Sequence, residues 1–77
     1  MTTTFVDGYD DRDSAYASAF RPARILVRAR LSDRYGMSVH RMKGGWGVYL
    51  TDRTPDRPAP ATLRLLPFRS TPHRAAA

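Results

Sequence analysis

The first clear hydrophobic period along the chain begins after a cluster of aspartates at residues 10–13. The apolar residues that follow recur at helical spacing: Ala15, Tyr16, Ala19 and Phe20. Aspartate at a helix start caps free backbone N–H groups and offsets the positive end of the helix dipole. This pattern predicts a short helix over 11–20. Pro22 predicts its end, because proline disfavours helical backbone at the residue before it.

The next apolar run, residues 24–31, fits two kinds of element. Apolar and arginine positions alternate there except at Leu26, as they do in a strand. Pro22 at the start and Gly36 after the end instead frame a helix. The agreement of these start and stop signals favours the helix, in which Arg21, Arg24 and Arg28 share one stripe. As a strand, the segment would add a fourth strand to a sheet that curls towards a small barrel.

Residues 37–51 have the pattern of a β-hairpin. Two β-prone runs flank Gly44-Gly45, and glycine tolerates the positive φ angles that tight turns require. So short a connection requires antiparallel pairing. The short apolar run 62–68, which contains Pro67, predicts a third strand at a sheet edge.

Together these elements predict an α+β fold, with one or two short helices packed on a small antiparallel sheet of about three strands. A chain of 77 residues has room for one small domain, which we place at 10–69. Within it, three prolines among charged residues predict an extended loop over 52–61. Residues 1–9 are predicted to be a flexible arm, with a short edge strand as the alternative, and residues 70–77 a flexible tail.

The composition argues against several kinds of site. The chain has no cysteine, and its two histidines have no partners at metal-ligand spacing, so neither a disulfide framework nor a zinc site is predicted. No phosphate-binding glycine loop or paired nucleophile and base is recognisable. We therefore expect no enzyme activity, catalytic residue, metal or cofactor. Without a signal-peptide pattern or an apolar run of about 20 residues, we expect a cytoplasmic protein that does not enter a membrane.

Charge is divided unequally along the chain. Residues 1–20 carry four aspartates and one arginine, whereas residues 21–77 carry twelve basic and three acidic residues. The net charges of −3 and +9 sum to +6. Clustered cations attract and steer polyanions. The main hypothesis is therefore a small accessory or regulatory protein that binds nucleic acid through the basic surface of residues 21–69.

Within that surface, cationic side chains are the candidates for phosphate contacts, and aromatic side chains near the hairpin turn are the candidates for stacking on bases. The phosphate candidates are Arg24, Arg28, Arg30, Arg41 and Lys43, and the stacking candidates are Trp46 and Tyr49. For Trp46 a core position is the alternative, because large aromatic residues dominate small cores.

Two further hypotheses follow from the same charge pattern. The alternative function is a protein-interaction module, an inhibitor or adaptor, that docks on an acidic protein surface. A homodimer is also compatible with so small a chain. In addition, the acidic residues 7–13 could fold over the arginines and compete with a polyanion.

Overall fold

The computed structural model describes residues 1–67. Its elements, in chain order, are strand β1 (Thr2–Tyr9), helix α1 (Arg12–Arg28), strands β2 (Tyr35–Met42) and β3 (Gly45–Asp52), and a 3-10 helix (Ala61–Leu65). The three strands form one antiparallel sheet in the order β1-β3-β2. Helix α1 packs on one face of this sheet, over β2 and β3 more than over β1. The predicted α+β class is confirmed.

The N-terminal residues form the third strand. β1 pairs antiparallel with β3 along its whole length, and a β-bulge shifts the register between Phe5 and Asp7. Because of the bulge, the successive residues Val6 and Asp7 are both buried. The flexible arm predicted for residues 1–9 is therefore wrong, and the edge-strand alternative is the one found.

Helix α1 is a single helix where the sequence predicted a break. Asp11 caps its start, as predicted, and accepts a hydrogen bond of 2.9 Å from the backbone N–H of Ser14. Pro22 lies inside the helix with its ring buried, so it does not end the element. The packing of α1 on the sheet outweighs the local cost of an interior proline, about 3 kcal/mol. Residues 24–28 are therefore helical, and the strand alternative for this segment is excluded.

The helix ends without a glycine. Arg30 takes the left-handed conformation with φ 59°. Its N–H donates to the carbonyl of Val27 at 3.0 Å, and the N–H of Leu31 donates to the carbonyl of Leu26 at 2.8 Å. These two bonds define a Schellman motif, which glycine usually completes. Gly36, the predicted helix stop, lies in β2 instead.

Strands β2 and β3 confirm the predicted hairpin. Met42 lies opposite Gly45, so Lys43 and Gly44 form a two-residue connection. Gly44 has φ 84°, which glycine adopts without steric cost. Gly45 is required for a different reason, because a Cβ atom there would collide with the backbone carbonyl of Tyr9 in β1.

The third strand predicted over 62–68 is wrong for the residues described there. The chain forms a 3-10 helix at this point, and Leu66 turns inwards to pack against Leu26 and Tyr35. Residue 68, like the predicted tail 70–77, lies outside the described residues. Residues 53–60 connect β3 to the 3-10 helix without helix or strand, in agreement with the predicted loop.

The core has two adjoining parts between α1 and the sheet. The part near the start of α1 is built from small or β-branched residues: Val6, Ala15, Ala19 and Val48. The part near the end of α1 is built from larger ones: Leu26, Tyr35 and Leu66. Among the described residues, no helix has the length and apolar character needed to cross a membrane.

Candidate functional site

The predicted contact residues do not form one surface. Leu26 in the last part of α1 packs against Tyr35 at the start of β2. Arg41 lies six residues further along β2, about 20 Å away at the rise of a strand. The basic residues therefore divide into two groups at opposite ends of the molecule: Arg24, Arg28 and Arg30 in one, Arg41 and Lys43 in the other.

Trp46 lies on the side of the sheet that faces α1. It is half-buried and packs against the first part of the core. The guanidinium of Arg41, its cross-strand partner, lies 6.0 Å from the centre of the indole. Trp46 thus takes the core position that was the alternative to stacking, with a cation–π contact on its exposed side.

Tyr49 lies on the outer face of the sheet, the face that points away from α1. Its ring makes edge-on contacts with Phe5 on β1, at 5.6 Å between ring centres, and with His40 on β2, at 5.4 Å. The three rings form a row across the three strands. Sequence reasoning missed Phe5, because only the pairing of β1 with β3 brings it beside Tyr49.

Three arginines of α1 lie together on the side of the helix opposite the sheet. Arg21, Arg24 and Arg28 are exposed and surround a shallow depression over the half-buried Ile25. We call these three residues the arginine face. None of them forms an ion pair with any residue in the range 1–67. Arg21 was not among the predicted contacts, although helical spacing alone places it in the same stripe.

Local contacts hold two members of the arginine face. The guanidinium of Arg24 lies 5.9 Å from the centre of the Phe20 ring, within the range of a cation–π contact. Arg28 occupies the last turn of α1, where a cation offsets the negative end of the helix dipole. Neither interaction covers the guanidinium group, so Arg24 and Arg28 remain exposed to a ligand.

Arg34, in contrast, is fully engaged within the fold. Its Nε and Nη2 donate to the two carboxylate oxygens of Asp52 at 3.0 and 3.2 Å. Nη1 and Nη2 also donate to the carbonyls of Pro58 and Arg57 at 3.0 and 2.8 Å. The hydrogen bonds from Arg34 hold the pKa of Asp52 below its ordinary value. Arg34 therefore fastens the 53–60 loop to the sheet and is not a candidate for ligand binding.

The acidic residues near the N-terminus are also part of the fold. Asp7 is buried, and its carboxylate accepts bonds of 2.9 Å from the N–H of Gly8 and from the hydroxyl of Tyr9. Asp11 caps α1, and the bonds from Ser14 lower the pKa of the Asp11 carboxyl. Residues 7–13 are thus anchored in β1 and α1, so the idea that they form an arm folding over the arginines is wrong.

Within residues 1–67, no three His, Cys, Asp or Glu side chains are grouped so that they could hold a metal ion. Comparisons of the chain with protein-family models, with curated proteins and with solved structures find no match.

Proposed function

We propose that this chain is a small, cytoplasmic, non-enzymatic accessory protein that binds nucleic acid through the arginine face of α1. The observation that supports this proposal is the set of three exposed guanidinium groups on one helix surface, without an acidic partner in the described part of the chain. Planar guanidinium groups suit bidentate contact with phosphate oxygens.

The spacing of these groups matches the charge spacing of a nucleic-acid strand. Arg21 and Arg28 are seven residues apart, which is about 10 Å along the helix axis. One strand of a duplex carries a charge about every 3.4 Å along its axis, so the arginine face spans about three phosphates. Arg30, exposed just beyond the end of the helix, extends the same basic surface.

The proposed contact is with the backbone and not with the bases. Tyr49 lies on the outer face of the sheet and Trp46 is half-buried against the core, so neither accompanies the arginine face. Phosphate contacts without base contacts fix position but carry no sequence information. We therefore expect binding that discriminates little between sequences and needs no unpaired base.

Fluorescence anisotropy over a salt gradient, with random duplex DNA, single-stranded DNA and RNA, tests this proposal. With about three phosphates neutralised, the slope of log K against log salt on duplex DNA should be about −3. Arg24→Gln and Arg28→Gln should each make the slope shallower by about one unit. Arg41→Gln, which removes the same charge at the other end of the molecule, is the matched control and should change the slope much less.

Binding that is insensitive to salt would contradict the proposal. So would an Arg41→Gln variant that weakens binding as much as Arg24→Gln does. Tyr49→Ala should leave affinity unchanged, and a large loss specific to single strands would instead assign binding to the aromatic row of the outer face. Capture of an acidic protein from nuclease-treated lysate, together with absent nucleic-acid binding, would favour the interaction-module alternative.

A further inference from the structure

Helix α1 carries a row of large apolar side chains that the described chain does not cover. Tyr16, Phe20 and Val27 are 53%, 64% and 61% exposed. With Ala23 they follow helical spacing and form one continuous stripe, which we call the lateral stripe. It lies beside the arginine face, on the side of α1 nearest β2. Single exposed apolar residues are ordinary, but a continuous row of them marks an interaction surface.

The strand next to the lateral stripe is an edge strand with little protection, since its one charged residue is Arg41 near its end. β2 pairs with β3 through eight residues with no register shift, and no residue in the range 1–67 pairs with its other side. It contains no proline and no bulge. The opposite edge strand, β1, has a bulge at Val6, one of the features that hinder pairing with another chain.

The centres of these two features coincide. The middle of the lateral stripe falls between Phe20 and Ala23, and the middle of β2 falls between Ser38 and Val39. All four residues line one shallow apolar groove. An interface between two identical copies has a single two-fold axis, so each element that packs against its own copy must meet that copy at the axis. Directly opposite residues of antiparallel strands share a face, so the axis passes beside one residue of β2, either Ser38 or Val39. The groove meets this requirement.

The distances also suit a second copy. Strands pair at about 4.8 Å, so a two-fold axis beside β2 lies about 5 Å from the line between β2 and β3. Helix α1 lies over β2 and β3. Two helices placed in this way are about 10 Å apart, which matches the 8–10 Å between the axes of packed helices.

The antiparallel arrangement of these elements favours another copy of this chain as the occupant. Antiparallel pairing of two β2 strands also makes the two α1 helices antiparallel. About an axis between Phe20 and Ala23, Asp13 in the first turn of one helix lies near Arg30 at the end of the other, whose side chain is exposed. The helix dipoles are oriented favourably in the same arrangement.

We propose that two copies of this chain associate about a two-fold axis, with β2 pairing antiparallel to β2 in a continuous six-stranded sheet and the two lateral stripes packed together. The arginine faces stay on the outer side of the two helices and form one larger basic surface. The dimer does not depend on nucleic-acid binding, because each is carried by a different side of α1.

Sedimentation velocity over a wide range of concentration tests the dimer. The wild-type chain should reach twice its 8.7 kDa mass as concentration rises. Phe20→Asp should weaken association by about 100-fold or more, because each dimer would lose two apolar rings and bury two carboxylates in their place. Ala17→Asp adds the same charge on the exposed side of the same helix and should dimerise like the wild type. Circular dichroism checks that both variants are folded.

A second experiment avoids any disruptive substitution. The chain has no cysteine, so Ala23→Cys and Ala17→Cys each introduce one thiol. A short bifunctional maleimide should link Ala23→Cys chains into dimers efficiently and Ala17→Cys chains poorly. A wild-type protein that stays monomeric at every concentration would overturn the proposal. Equal cross-linking of the two cysteine variants, or a Phe20→Asp variant that still dimerises, would show that this surface is not the interface.

Discussion

In its first half, α1 turns small side chains towards the sheet, whereas its lateral stripe carries large ones. Facing the sheet, the first half of the helix buries only alanines, Ala15 and Ala19. On the lateral side, Phe20 and Val27 are more than half exposed. Small inner residues let the helix approach the sheet closely, and neighbouring valines fill the remaining space. Burial in this chain therefore does not follow the size of apolar side chains, and the proposed dimer explains why.

Truncating one side chain on the inner side of α1 and one in the lateral stripe should give the largest difference in the free energy of unfolding. Leu26→Ala should lower the free energy of unfolding by about 2–5 kcal/mol, because it opens a cavity beside Tyr35 and Leu66. Phe20→Ala removes more atoms but should change it by only about 0.5 kcal/mol at low protein concentration, where the chain is monomeric. Urea unfolding of both variants measures the difference. A Phe20→Ala variant as unstable as Leu26→Ala would place the lateral stripe inside the core of the single chain.

Enlarging a side chain sharpens the same comparison. Ala15 is fully buried, so Ala15→Leu should destabilise the protein by about 1–3 kcal/mol through overpacking against the sheet. Ala17→Leu makes the identical change on the exposed side and should be nearly neutral, since leucine is a good helix former. The two variants are compared by thermal unfolding. Equal melting temperatures for Ala15→Leu and Ala17→Leu would contradict close packing of α1 on the sheet at Ala15.

Substitutions at the C-terminal end of α1 should have a smaller effect on stability. Arg30 has φ 59°, a conformation that costs a non-glycine residue about 1 kcal/mol. Arg30→Gly should therefore stabilise the fold by up to about 1 kcal/mol. Ala29→Gly, one residue earlier at φ −81°, gains nothing from glycine and should destabilise. Denaturant unfolding that ranks these two variants in the opposite order would contradict the Schellman ending of α1.

The smallest effect concerns the Arg34–Asp52 pair, where β2 begins beside the large-residue part of the core. The hydrogen bonds from Arg34 lower the pKa of Asp52 in the folded protein. The stability that this pair gives the fold is therefore complete above about pH 4 and is lost as the pH falls through the lowered pKa of Asp52. Asp52→Asn should weaken the dependence of melting temperature on pH in this acid range. The matched change at an exposed aspartate, Asp10→Asn, should keep the wild-type profile. Identical profiles for the wild type and Asp52→Asn would contradict a role for this pair.

Much of the fold could be predicted because its signals are local. Asp11 at the helix start and Gly44 in the hairpin connection each serve the backbone of their own turn, so their residue types are sufficient evidence. The features that could not be predicted depend on distant contacts. Pro22 is accommodated because its ring is buried against the rest of the fold. The bulge at Val6 removes the alternation that would have identified β1 as a strand.

In the candidate site, too, the features with local signals could be predicted and those that depend on distant contacts could not. Arg24 and Arg28 could be placed together with Arg21 from helical spacing alone, once the segment is known to be a helix. The grouping of Arg41 with them could not be tested by spacing, because it depends on which end of β2 meets which end of α1. The lateral stripe was hidden for a related reason. The apolar residues of α1 cover more than one side of the helix, and only the packed sheet shows which side is buried.

Amide hydrogen exchange, measured at several protein concentrations, tests most directly whether the lateral stripe and β2 form an interface. The two edge strands serve as each other's control within one molecule. The outward-pointing amides of β2 should exchange more slowly as concentration rises, while those of β1 should not depend on concentration. Exchange along β2 that is equally fast at every concentration would contradict the account.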